Sequence, residues 1–318
     1  MNYTAVIRTL GTAGEKYQQL LNSLNCQTIS PKDIIVYIAD GYPLPKESIG
    51  REHYVYVKKG MVAQRALVYD EVATEYILFL DDDLAFPPDT VETMYRLLKE
   101  EGADVISPDI FPNALRSRKS EIMMTISGRM RARYKDCVWG YKIMKTGGYS
   151  YNKNPQKEVY LSQTNAGACF LCRKDNFLKI HLEEELWMDK MIYALGDDQV
   201  MYYKMYLNKL KLITWYGHQF EHLDAGENLT KEKERMRLYG DIYFKNVFWH
   251  RFIYLPERSI LLKLWSVVCI LYYLIFTLMI SILKFRIHIL VTKYQAIRDA
   301  WQFISSEEYK KCPRVVKY

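Results

Sequence analysis

The chain has 318 residues, 49% of them hydrophobic, 25% charged and 14% aromatic. That length and mix can build a sizeable core, and they exclude a disordered tail, a collagen-like fibre or a simple coiled coil. The formal charge of +7 is concentrated, because eight Lys/Arg against three acids fall between Lys284 and Tyr318 and the body is close to neutral. A nucleic-acid-binding domain would carry its basic residues across the fold, interleaved with aromatics, so no nucleic-acid partner is expected. A basic tail beside an apolar run suits anionic lipid instead. The six cysteines lack the spacing of a disulfide framework, and Cys169-x-x-Cys172 has no second pair, which points to buried packing in a reducing compartment. The opening MNYTAVIRTLG lacks the basic-then-apolar layout of a signal peptide, so the body is expected in the cytosol.

Strand and helix patterns alternate from the start. Thr4 to Ile7 reads as a strand, and Leu20, Leu21 and Leu24 give a helical stripe. The continuous apolar run Ile34 to Ile38 is typical of a strand buried on both faces. Tyr54 to Val57 is a third strand, Ala63 to Val72 a helix, and Tyr76 to Leu80 a fourth strand that ends in Asp81-Asp82-Asp83. Pro87 and Pro88 open a helix to about Glu101, and Val105 to Ser107 is a further strand. This alternation predicts an α/β fold with a mostly parallel, Rossmann-like sheet flanked by helices, which binds ligands at the carboxyl ends of its strands. From about Pro112 to Leu161 the period is lost, as in a long, partly mobile excursion over the sheet edge. Asn165 to Arg173 is a strand, Asp197 to Leu210 a helix and Leu212 to Trp215 a last strand.

The C-terminal part differs. Leu264 to Leu283 holds 20 residues without a charge, about the length that crosses a hydrocarbon core. Lys263, Lys284 and Arg286 are placed as headgroup anchors. A single span would carry the basic tail outward, against the positive-inside tendency, so spanning and in-plane arrangements stay open. Ile287, Leu290, Val291, Tyr294, Ile297 and Trp301 have helical spacing and suit a helix on a membrane surface. Residues 1–240 are thus expected to form the α/β domain, and 241–318 a membrane-associated helical region that puts the chain on the cytoplasmic face of the cell membrane.

Three aspartates at the end of an apolar strand need a positive partner, since two carboxylates about 5 Å apart repel by about 3 kcal/mol at an effective dielectric of 20. In extended backbone Asp81 and Asp83 point the same way, as hard oxygen ligands for Mg²⁺ or Mn²⁺; the plain alternative is a solvated acidic turn capping the next helix. A second pair, Asp197-Asp198, opens a helix, and one of these acids is explained by N-capping. His222 follows 24 residues after Asp198, beyond one helix and one strand, and can return to the strand ends to complete a site of Asp81, Asp83 and imidazole. His218 is the alternative ligand.

These residues resemble the family 2 glycosyltransferases, inverting nucleotide-sugar enzymes of the GT-A fold, over Tyr3 to about Gly226. Ala5 to Thr9 with Leu21 to Leu24 looks like the family's first strand and helix, and Ile35 to Gly41 like its strand ending in a nucleobase-contacting aspartate. Gly60 to Leu67 is similar to its Ala-Arg segment, Tyr76 to Asp83 to its DXD strand, and Asn165 to Lys174 to its acceptor-side strand. Gly196-Asp197-Asp198 resembles its acidic pair. The resemblance implies that Thr9, Asp40, Arg65 and Asp82 contact a nucleotide diphosphate sugar, with Arg65 near the diphosphate. It makes Asp81, Asp83 and His222 metal ligands and Asp198 the general base, with Asp197 and Trp187 toward the acceptor. It also implies a hexosyl-type transferase of polysaccharide biosynthesis, metal-dependent and acting on a glycan or lipid-linked acceptor. The rivals are an inactive membrane-attached scaffold with the same fold and a haloacid dehalogenase-type phosphatase. The latter carries its D-x-D on the first strand, followed by Thr or Val, where this chain has Ala85 after a fourth strand.

Overall fold

The computed structural model describes residues 1–110, 118–127, 139–152, 154–193, 195–217, 219–223 and 230–316. The chain forms two compact units. The first comprises Met1–Asn113, Asn154–Asp189 and Asp197–Glu227, and the second Ala114–Lys153, Lys190–Gly196 and Asn228–Tyr318.

Down the chain, β1 (Tyr3–Thr9), α1 (Glu15–Asn25), β2 (Asp33–Ala39), β3 (Glu52–Val57), β4 (Tyr76–Asp81), the two-residue β5 (Leu84–Ala85), α2 (Thr90–Glu100) and β6 (Val105–Pro108) open the first unit. The second unit then contributes α3 (Arg118–Ile126) and the antiparallel pair β7 (Trp139–Ile143) and β8 (Tyr149–Tyr151). Parts of the excursion expected over 112–161 thus carry regular structure. The chain re-enters the first unit with β9 (Val159–Ser162), β10 (Cys169–Arg173), α4 (Lys174–Leu178), a 3₁₀ segment over Leu182–Lys190, α5 (Asp197–Leu207), β11 (Leu212–Trp215) and the short β12 (Glu221–His222).

The eight long strands of the first unit lie in the order β3-β2-β1-β4-β10-β6-β11-β9. The pairs β3/β2, β2/β1, β1/β4 and β6/β11 are parallel, while β10 runs antiparallel between β4 and β6, and β9 antiparallel to β11. Period-2 alternation splits each central strand between two cores. Leu78 and Leu80 join Leu20, Leu21 and Leu24 of α1 and Met94 of α2 on one face. Phe79 points to the other, stacked on Phe170 at 4.4 Å between ring centroids and edge-on to Tyr69. Cys169 and Cys172 are buried free thiols in β10.

One expected element is absent: residues 63–72 do not form a helix. Instead a turn runs from Gly60 to Ala66, because the Asp189 carboxylate accepts from the Val62 and Ala63 amides at 2.7 and 3.0 Å. Tyr69 then adopts φ 54°, a conformation a helix cannot contain.

The second unit ends in helices: α6 (Lys231–Phe248), a π-helical turn over Trp249–Tyr254, α7 (Ile260–Leu283), α8 (Ile287–Ser305) and α9 (Glu307–Lys311). Thr230, Ser259 and Ser306 cap α6, α7 and α9 by accepting a backbone N–H. Helix α7 covers the 20-residue apolar run and is the one described helix long and apolar enough to cross a membrane.

Candidate active site

The site forms at the carboxyl ends of β1, β2 and β4. Parallel pairing sets Arg8 opposite Asp81, and the guanidinium grips that carboxylate with two bonds, Nε to Oδ1 at 2.5 Å and Nη2 to Oδ2 at 3.1 Å. Arg65 enters from the Gly60–Ala66 turn and is 4% exposed. Its Nη1 donates to Asp197 Oδ2 at 2.8 Å and to Asp198 Oδ1, its Nη2 to the Gly167 carbonyl at 2.8 Å, and Nη2 stands 3.6 Å from Asp81 Oδ1. Arg8 Nη1 reaches the same Asp197 oxygen at 3.3 Å. Two guanidinium groups therefore tie together three carboxylates from two distant stretches of chain.

Burial works to raise the pKa of Asp81, but Arg8 and Arg65 outweigh it and hold the group below the ordinary carboxylate range. Asp197 is pushed up to about 6, first by burial and then by Asp198 beside it. Asp82 also rises to about 6, mainly by burial, with Asp81 and Asp83 adding to it and the Thr9 hydroxyl, which donates to Asp82 Oδ2, opposing it. Of the acidic pair at the start of α5, Asp197 is covered while Asp198 keeps about a third of its side chain exposed, 34% against 9%.

His222 reaches the site through the small sheet. β12 pairs antiparallel with β5, with His222 opposite Leu84 and the Leu223 amide donating to the Asp83 carbonyl at 2.8 Å. His222 Nε2 lies 3.0 Å from Asp83 Oδ2, and this bond is the chief reason its pKa is raised, with the charges of Asp83, Asp81 and Asp198 adding to it. The structure thus bonds Asp83 directly to His222, while Asp81, whose charge also acts on His222, has its carboxylate bonded to Arg8. Among the described residues no group of three or more His, Cys, Asp or Glu is arranged to hold a metal ion. One carboxylate and one imidazole are still a fitting donor set for Mn²⁺ or Mg²⁺, which commonly takes one or two protein ligands and completes its shell with phosphate oxygens and water.

The other expected residues fall as follows. Asp40 is exposed just past the end of β2, followed by Gly41 at φ 83°. Thr9 ends β1 and also accepts from the Gly11 amide at 2.8 Å. Arg65, expected at the diphosphate, has its donors on the acidic pair and Gly167. Trp187 is 5% exposed and donates its indole N–H to Glu185 Oε2 at 2.8 Å, so its ring offers no free face to a sugar. His218 lies outside the described residues.

Sequence reasoning passed over Arg8, Gly167 and Asp189. Arg8 sat inside a quoted motif, but its task depends on which strand lies beside β1. Gly167 admits no side chain, since a Cβ there would collide with Asp198 Oδ1 and stand 2.6 Å from Arg65 Nη1. Gly60 is constrained in the same way by Asp189.

A mostly parallel α/β sheet with acidic residues and a histidine gathered at its strand ends is the GT-A plan of a glycosyltransferase. The chain belongs to glycosyl transferase family 2, whose model matches residues 18–178. Among solved structures, a crystal structure of residues 1–349 of S. aureus TarS matches with 13% identity and a TM-score of 0.46, covering 86% of this chain and 71% of that one. No curated protein matches the sequence.

Proposed function

We propose that the protein transfers a hexosyl group from a nucleotide diphosphate sugar to an acceptor hydroxyl with inversion, Asp198 acting as general base. The observation that carries this reading is the position of Asp198: it opens α5 beside the strand ends, is the more exposed of its pair, and is held by Arg65. A carboxylate so aimed can take the proton of the attacking hydroxyl as the bond to the anomeric carbon forms, a role that typically contributes 10²- to 10⁴-fold. Arg65 and Arg8 fix the acidic pair, and Gly167 leaves the space that lets Arg65 reach it. Asp40, exposed just past β2, would contact the base of the nucleotide, and Thr9 and Asp82, bonded to each other at the ends of β1 and β4, would contact the same donor.

Asp83 and His222 would hold a divalent cation, Mn²⁺ or Mg²⁺, whose charge offsets that of the departing diphosphate. The same reading puts the chain on the cytoplasmic face of a membrane, working on a glycan or lipid-linked acceptor in polysaccharide biosynthesis; the apolar α7 and the basic tail support it.

Nucleotide binding and sugar transfer, measured with and without Mn²⁺ across a panel of nucleotide diphosphate sugars, test the assignment. Asp198→Asn is expected to lower turnover by about 10³-fold while leaving Mn²⁺-dependent nucleotide binding near wild type; a variant with normal turnover removes it as the base. Asp83→Asn and His222→Ala are each expected to abolish the Mn²⁺-dependent part of nucleotide binding. Binding unchanged by chelator in the wild type would end the cation reading.

A further inference from the structure

The residues of α7 are sorted in the reverse of a soluble protein's order. Its buried stripe is Ser266, Ile270, Tyr273, Thr277 and Ser281, four of which carry a hydroxyl. Into this stripe reaches Lys293 of α8, 6% exposed, with Nζ 2.8 Å from the Thr277 carbonyl and 2.9 Å from Ser281 Oγ. The opposite face consists of Leu264, Val268, Leu271, Ile275, Met279 and Ile282, each 46–58% exposed. Water selects the other arrangement, and a contiguous exposed apolar face of this length marks an interaction surface. Lipid selects this one, because it rewards apolar groups outside and requires polar groups to find partners within the protein.

Length does not settle how the helix meets a bilayer. Its 24 residues extend roughly 36 Å, enough to cross a hydrocarbon core. The neighbours do settle it. Tyr273, near the middle of α7, has Lys245 of α6 5.8 Å from its ring centre, and Lys245 is paired at 2.6 Å with Asp241. On α8, Asp299 accepts a hydrogen bond from Tyr239 of α6 at 2.8 Å and pairs with Arg298. A spanning α7 would carry the Lys245–Asp241 pair close to the bilayer midplane, where charged side chains are expensive. Lying flat, the helix sinks its stripe into one leaflet and leaves α6 and α8 on the aqueous side.

The ends of the stripe name the lipid. Lys263 stands at one end and Lys284 and Arg286 at the other, with no acid inside α7. Phe285, at φ 50° in the turn to α8, is 90% exposed, and Ile287, two residues on, 71%. Cations flanking an apolar stripe complement anionic headgroups, as in interfacial helices.

We propose that α7 is an in-plane membrane anchor, buried to one leaflet's depth in anionic lipid and not spanning it, a reading that rests on the membrane association proposed above. The test uses the full chain with sealed vesicles of phosphatidylcholine, alone or with about one third phosphatidylglycerol. The chain is expected to sediment with the anionic vesicles at least about tenfold more strongly than with the neutral ones. Ile275→Glu, an exposed position, is expected to cut partition about tenfold or more with an unchanged circular dichroism spectrum. Bromine near the headgroup end of the acyl chains is expected to quench the fluorescence of a tryptophan placed at the exposed middle of the helix by Leu271→Trp, bromine at the chain ends much less, with the wild type as the control. Absence of partition onto either vesicle would overturn the membrane reading itself. Partition with quenching deepest from chain-end bromine would overturn only the in-plane geometry in favour of a span. A lipid-free dimer that Ile275→Glu converts to monomer would assign the stripe to a second copy.

Discussion

Arg65 concentrates most of the site's electrostatics in one side chain. A buried guanidinium is tolerable only with anions around it, and three carboxylates supply them, raising its pKa against the opposing effect of burial. Its two terminal nitrogens serve different partners, Nη1 the acidic pair and Nη2 the Gly167 carbonyl, a planar fork that lysine does not reproduce. Arg65→Lys is therefore expected to lower kcat about 10²-fold through a misplaced Asp198 while the donor KM stays within about threefold. Steady-state kinetics on the purified variant check it. A KM that rises tenfold with kcat intact would return Arg65 to the diphosphate, the task its motif first suggests.

At the scale of elements, β1 to β4, β6, β10 and β11 were legible, whereas β7 to β9, which fall where the period is lost, and the connections were not. Ile34 to Ile38 and Tyr76 to Leu80 show themselves because a strand covered on both faces needs an unbroken apolar run, and Asp81 to Asp83 mark where the second of these ends. His222 was legible through its order after Asp198, yet the link that delivers it, two residues of β12 against two of β5, is too short to leave any period. The Gly60–Ala66 turn was misread as helix because its composition allows either, and the deciding partner, Asp189, lies 127 residues away from Val62. Neither could strand register be read in advance, so the diversion of Asp81 to Arg8 was invisible. The 3₁₀ segment that carries Asp189 is anchored in turn by Glu185, fully buried, whose carboxylate accepts from Lys204 at 3.1 Å and from Trp187 at 2.8 Å. Glu185→Ala removes the acceptor and leaves Lys204 buried with fewer partners, which is expected to cost about 3 kcal/mol. Urea unfolding measures the loss; a change below about 0.5 kcal/mol would mean the segment is held some other way.

The molecule as a whole carries ionisable groups that respond to acid in opposite directions. Asp82 and Asp197 are held above the ordinary carboxylate value, so the folded chain binds protons more readily than the unfolded one up to about pH 6. Their contribution to stability is complete below that ordinary value and is lost as pH rises through about 6. His250, in the π-helical turn of the second unit, goes the other way: burial alone lowers its pKa from 6.5 to about 4, with Nδ1 2.7 Å from the Tyr309 hydroxyl and the Tyr254 ring stacked at 5.7 Å. Above pH 6.5 both states hold a neutral imidazole and the group is silent. Between 6.5 and 4 the unfolded chain takes up a proton that the folded chain refuses, so stability falls as pH falls. A chain of two units need not melt in a single step, so the difference between wild type and His250→Gln isolates the effect better than either profile. Thermal melts across that window are expected to show the wild type losing stability relative to the variant as the solution is acidified, and a constant offset above pH 6.5. A difference that stays flat throughout would show that the imidazole takes up its proton without leaving the fold.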